Sequence, residues 1–90
     1  MRFEWDERKR RNNIEKHGFD FIWARRLFDG RPRFDLISPR GNEHRILSVG
    51  EIDQVMIAAA WTPRGEDTVR IISVRRARHA EESQYRQLQR

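Results

Sequence analysis

Ninety residues carrying 19 Lys and Arg, 14 Asp and Glu and no cysteine make a small, polar chain of net charge +5. A chain of this length buries only about 60% of its unfolded surface, so a single domain spanning 1–90 with a thin core is expected. The lack of cysteine excludes a disulfide framework and a thiolate zinc site. No apolar run approaches the roughly 18 residues of a membrane span, and no signal-peptide core follows Met1, so a cytoplasmic chain without a membrane partner is expected.

Phe3 and Trp5 form a short apolar patch, read as a candidate edge strand. Asp6 is a good N-cap for a helix that runs to His17 and stops at Gly18. Ile14 is its only aliphatic residue, so its apolar stripe is thin. Lys9, Asn13 and His17 recur at i, i+4 and i+8 and share one side of it.

Asp20 caps a second expected helix that ends before Gly30. Phe21, Ala24, Leu27 and Phe28 recur at helical spacing with Trp23 beside them, and these aromatics are read as core. Four strands follow Pro32: Phe34–Ser38, Arg45–Val49, Val55–Thr62 and Thr68–Arg76. Their expected breaks are Pro39-Arg40-Gly41-Asn42, Gly50-Glu51-Ile52-Asp53 and Pro63-Arg64-Gly65-Glu66-Asp67. Links this short imply antiparallel neighbours. A polar segment, His79–Arg90, is read as a terminal helix.

The expected fold class is α+β. Two N-terminal helices pack on a twisted antiparallel sheet of four to five strands, a C-terminal helix closes the chain, and the second sheet face stays open or partly covered. Only Lys9 and Lys16 of the 19 basic residues are lysine; the rest are arginine. Arginine suits bidentate phosphate contacts, so a polyanion, most simply nucleic acid, is the implied partner. A GC-rich genome produces the same composition.

Five ordered segments are more specific. They are Phe3-Glu4-Trp5-Asp6, Lys9 with Lys16-His17-Gly18, Phe28-Asp29, Glu43-His44-Arg45 ahead of Val49-Gly50, and Arg70-Ile71-Ile72-Ser73-Val74-Arg75 followed by Ala77, Glu81 and Tyr85. In that order they resemble the BrnT family of ribonuclease toxins. His44 stands where an acidic residue is usual, and Arg78 where Thr is common. The resemblance implies a RelE-like fold, cleavage of RNA, arrest of translation and a BrnA-like antitoxin with a ribbon-helix-helix region. Operator DNA would be bound only through the toxin–antitoxin complex.

RNA cleavage without a metal needs a base for the ribose 2′-OH, cations for the phosphorane and an acid for the leaving 5′-oxygen. The carboxylates are scattered, and His17, His44 and His79 lack metal-ligand spacing, so no metal and no cofactor are expected. Strict alternation sets Arg70 and Arg76 on one face of the last strand and Ser73 and Arg75 on the other. Arg70 and Arg75 share a cleft only if the strand ends or bulges before Arg75. Arg75, at the strand exit, is the expected phosphate ligand; Arg70 is a second candidate or the partner of a nearby carboxylate.

Glu81 and Tyr85 share a helix face and suit a base and a proton donor, or an orienting carboxylate and a stacking ring. Glu81 beside Arg75 fits the orienting role better. Lys9 and His17 are acid–base candidates, with His17 equally able to satisfy free carbonyls at its helix end. Arg64, Arg45, Arg76 and Arg78 are the expected RNA contacts. Two rivals stand beside an endoribonuclease. One is a catalytically inactive RelE-like module kept as antitoxin partner and co-repressor. The other is a DNA-binding protein, which no helix-turn-helix, zinc or ribbon pattern supports.

Overall fold

The computed structural model describes residues 1–38 and 44–89. The expected turn at 39–42 and Glu43 of the fourth family segment lie outside them, as does Arg90. Strand β1 (Arg2–Glu4) leads into helix α1 (Glu7–His17), a single helical turn α2 (Phe21–Ala24) and a 3-10 turn (Arg25–Phe28). Strands β2 (Arg33–Ser38), β3 (Arg45–Ile52), β4 (Val55–Arg64) and β5 (Thr68–Arg76) follow, and α3 (His79–Leu88) ends the chain. The α+β class is as expected, and so is the cap of each N-terminal helix. Asp6 accepts from the backbone N–H of Arg8 and Lys9, Gly18 takes φ 79°, and Asp20 accepts from Ile22 N–H.

The sheet order is β1-β5-β4-β3-β2. The sheet is mixed rather than antiparallel, because β1 pairs parallel with β5 through Arg2↔Thr68, Phe3↔Val69 and Glu4↔Arg70. Short links force antiparallel pairing only between β2, β3, β4 and β5. The chain between β1 and β5 is long enough for any crossover.

Two breaks fall elsewhere than expected. Gly50 to Ile52 belong to β3, and the turn is Asp53-Gln54, both with positive φ (50° and 67°). Gly50 marks a close approach instead: a Cβ there would lie 2.6 Å from Leu27 Cδ1 and 3.2 Å from the Pro32 carbonyl oxygen. Pro63 and Arg64 end β4, opposite Val69 and Thr68. The second helix is shorter than its periodicity predicts. It tightens after Ala24 into the 3-10 turn, which buries Leu27 and Phe28 beside Phe21 and Ala24.

One sheet face packs Ile57, Ala59, Trp61, Val69, Ile71 and Val74 against those residues, forming the main core. The edge-to-face pair of Phe28 and Trp61 lies in it at 5.3 Å. On the other face, α3 seats Tyr85 on Val49, Met56 and Ala58. Toward the opposite end that second face carries Ala60, Ser73 and Arg70, all partly exposed. No helix among the described residues is long and apolar enough to cross a membrane.

Candidate functional site

The decisive local feature is a bulge in β5. Ala60 pairs with Ser73 but Trp61 pairs with Ile71, so Ile72 has no partner on β4. The extra residue resets the alternation. Val69 and Ile71 before it and Val74 after it all enter the main core. Arg70, Ser73 and Arg75 therefore lie on the second face, opposite Thr62, Ala60 and Ala58. Arg76 takes the other side, with its guanidinium 6.0 Å from the Phe19 ring. The grouping of Arg70 with Arg76 required by strict alternation is thus corrected, and the bulged alternative is the one observed.

Both β5 arginines on this face have carboxylate partners. Arg70 donates to Glu4 at 2.8 Å, and Arg64 reaches the same Glu4 oxygen at 3.7 Å. Arg75 donates through both terminal nitrogens to the two oxygens of Glu81, at 2.8 and 2.9 Å. Glu81 also accepts from the Arg78 backbone N–H at 2.8 Å, so one carboxylate fixes Arg75 and satisfies the first turn of α3. The hydrogen bonds from Arg75 hold the Glu81 carboxyl below the ordinary glutamate range, and Glu81 in turn raises the Arg75 guanidinium above its own. A carboxylate so stabilised is a weak base at neutral pH. Tyr85, four residues on, is buried beneath its helix, where its ring docks α3.

A second group of cations gathers at the open edge of β5. β1 covers that edge only over residues 68–70, and α1 lies alongside the rest. A groove of about 170 Å³ runs between them, lined by Lys9, Asn12, Lys16, His17, Ile72 and Ser73 with Asn13 at its wall. Lys9 and His17 face it from the helix side that the i, i+4, i+8 spacing predicts. Ser73 is common to both features, since it lines the groove and lies between Arg70 and Arg75 on the sheet face. Lys16 and Asn12 are groove residues that the sequence reading missed. Their spacing from Asn13 was visible, but nothing in the sequence told which side of α1 meets the sheet.

The remaining expected RNA contacts are distributed. Arg64 is exposed at the end of β4 near Glu4, Arg45 is half-buried on β3 opposite Ser38, and Arg78 is exposed ahead of α3. Among the described residues no three His, Asp or Glu side chains cluster as metal ligands would.

A family model described as a ribonuclease toxin, BrnT, of type II toxin–antitoxin systems matches residues 5–81. The chain belongs to the BrnT family. Among solved structures it is similar to the crystal structure of the BrnT ribonuclease toxin of Brucella abortus, with 30% identity and a TM-score of 0.67. The match covers 88% of this chain and 99% of the Brucella protein. No curated protein sequence matches it significantly. The BrnT match takes in the bulged strand, both cationic groups and Glu81, and stops before Tyr85.

Proposed function

We propose that this BrnT-family chain is a metal-independent endoribonuclease of the cytoplasm, whose RNA cleavage arrests translation until a BrnA-like antitoxin binds it. Operator DNA is then contacted through the toxin–antitoxin complex alone. The observation that carries this reading is the convergence at Ser73, with Arg70 and Arg75 on the sheet face and Lys9 and His17 across the adjoining groove.

RNA is threaded along the partly exposed half of the second face. Its scissile phosphate sits by Ser73, where the Arg75 guanidinium, held in plane by Glu81, donates to the non-bridging oxygens. Arg70 adds charge from the Glu4 side, with Arg64 and Arg45 on the flanking backbone. A groove base, Lys9 or His17, takes the ribose 2′-OH proton, the 2′-oxygen attacks phosphorus, and the 5′-oxygen leaves with a proton from the other. The products are a 2′,3′-cyclic phosphate and a free 5′-hydroxyl. Guanidinium and ammonium groups supply here the charge that a divalent ion supplies in other nucleases. Glu81 is a positioning residue and Tyr85 a docking one.

One observation favours a second reading, an inactive antitoxin partner: Arg70 and Arg75 both already face carboxylates. The same experiment separates the two. Expressed alone, the active chain stops growth and, purified, cleaves RNA in the presence of EDTA to cyclic-phosphate ends. Arg75→Ala lowers cleavage by about 100-fold or more and relieves the growth arrest. A harmless wild-type chain that leaves RNA intact would establish the inactive partner.

A further inference from the structure

We infer that Asn13 is a positioning residue of the ribonuclease site, acting as a substitute strand that fixes α1 so that Lys9 and His17 face Ser73. The inference rests on the groove reading above and adds a residue to it.

Helix α1 is 11 residues long, and its one buried side chain is a polar one, Asn13, 6% exposed. Its only aliphatic residue, Ile14, is 38% exposed. An isolated helix of that length is marginal in water, and this one has no apolar stripe to hold it on the sheet. The Asn13 amide does that instead. Its Nδ2 donates to the Val74 carbonyl at 2.9 Å, and its Oδ1 accepts from the Val74 N–H at 3.0 Å. This is the paired donor and acceptor that a neighbouring strand would offer, at a stretch of β5 that β1 does not reach. The second Nδ2 hydrogen donates to the Phe19 carbonyl at 2.9 Å, tying the segment after α1 to the same point.

The three bonds fix both the rotation of α1 and its height along β5. Lys9 lies about one turn before Asn13 and His17 about one turn after, on the same side. Val74 is the neighbour of Ser73, so the anchor sits one residue from the proposed reacting centre. Released from it, the helix keeps its caps and its ion pairs, but its rotation is free to drift. A shift of about 1 Å in a proton-transferring group costs on the order of 100-fold in rate.

The test is steady-state cleavage of an RNA oligonucleotide by the full chain carrying Asn13→Ala or Asn13→Asp, at a temperature where circular dichroism shows each variant folded. Expected for Asn13→Ala is a fall in kcat of about 100-fold, with KM within about 3-fold of wild type. In a Lys9→Ala/His17→Ala background the same substitution adds almost no further loss, because the groups it positions are gone. Asn13→Asp covers the case in which the alanine variant fails to fold. Its carboxylate keeps the shape but faces two carbonyl oxygens, so kcat relative to wild type at the same pH falls at neutral pH and recovers in part at acid pH, where the protonated group donates to one of them. An equal loss in both backgrounds, or a normal kcat and pH profile for both Asn13 variants beside an inactive Lys9→Ala/His17→Ala chain, overturns the role of Asn13 and leaves the groove standing. If Lys9→Ala/His17→Ala itself cleaves like wild type, the groove reading fails and the positioning role with it.

Discussion

At Glu81 a single carboxylate accepts two bonds from Arg75 and one from the backbone N–H of Arg78. Its side chain is 13% exposed, so it is largely withdrawn from water and depends on those donors. Its carboxyl titrates below the ordinary glutamate value because Arg75 and Arg78 favour the charged form. The sign of the linkage follows. A depressed folded value contributes stability at pH above the unfolded glutamate range, and that contribution is lost as pH falls through the folded value. Glu81→Gln should therefore lower the unfolding free energy at pH 7 by about 1–2 kcal/mol. The gap to wild type should narrow as pH falls below the ordinary glutamate range. Urea titrations at neutral and at acid pH check this, and a gap that widens at acid pH would contradict the assignment. The same substitution leaves Arg75 charged but no longer held in plane, so cleavage falls less than with Arg75→Ala.

Among the elements, the β3–β4 hairpin places its glycine against intuition. Gly50 reads as a turn signal, yet it lies inside β3 because Leu27, fully buried, occupies the space a Cβ would fill. The turn itself, Asp53-Gln54, has two positive φ values and no glycine. Asp53 is held there by bonds from Arg26 at 2.8 and 2.9 Å and from Trp23 Nε1 at 3.0 Å. Opposite outcomes are expected at the two positions. Gly50→Ala overpacks the contact with Leu27 and the Pro32 carbonyl and should cost about 1–3 kcal/mol. Gln54→Gly relieves a left-handed residue and should gain about 0.5–1 kcal/mol. Thermal melts decide both, and a stabilising Gly50→Ala would mean that the helical turns can slide over the sheet. This hairpin also shows what a sequence leaves unsaid. The caps at Asp6, Gly18 and Asp20 were legible because their chemistry is local. The strand β5 was legible to its end residues, from Thr68 to Arg76. The bulge at Ile72, the parallel partner of β5 and the reason for Gly50 were not, since each depends on residues distant in the chain. The candidate site divides the same way. Lys9, Asn13 and His17 could be seen to share a helix side, but the strand edge they meet could not.

For the molecule as a whole, the proposed RNA path draws on one sheet face and its edge groove, and this is measurable through salt. One helix-covered face holds the core and carries Arg76 at its margin, whereas the other holds Arg70 and Arg75, with Arg64 at its end beside Glu4. Each cation that neutralises a phosphate of single-stranded RNA contributes about −0.7 to the slope of log affinity against log salt. Contacts from Lys9, Lys16, Arg45, Arg64, Arg70 and Arg75 together give a slope near about −4. Arg64 is 55% exposed and its ion pair with Glu4 is long, at 3.7 Å; on the proposed path it exchanges that partner for a backbone phosphate beyond the cleavage point. Arg64→Ala should make the slope shallower by about 0.7 and weaken binding alike for every RNA sequence. Arg76→Ala, whose side chain lies over Phe19 on the opposite face, should leave the slope unchanged. Fluorescence anisotropy with a non-cleavable RNA analogue, taken across a salt series, measures both. Equal changes in the two variants would mean that RNA also contacts the main-core face, and the path along the second face and its groove would have to be abandoned.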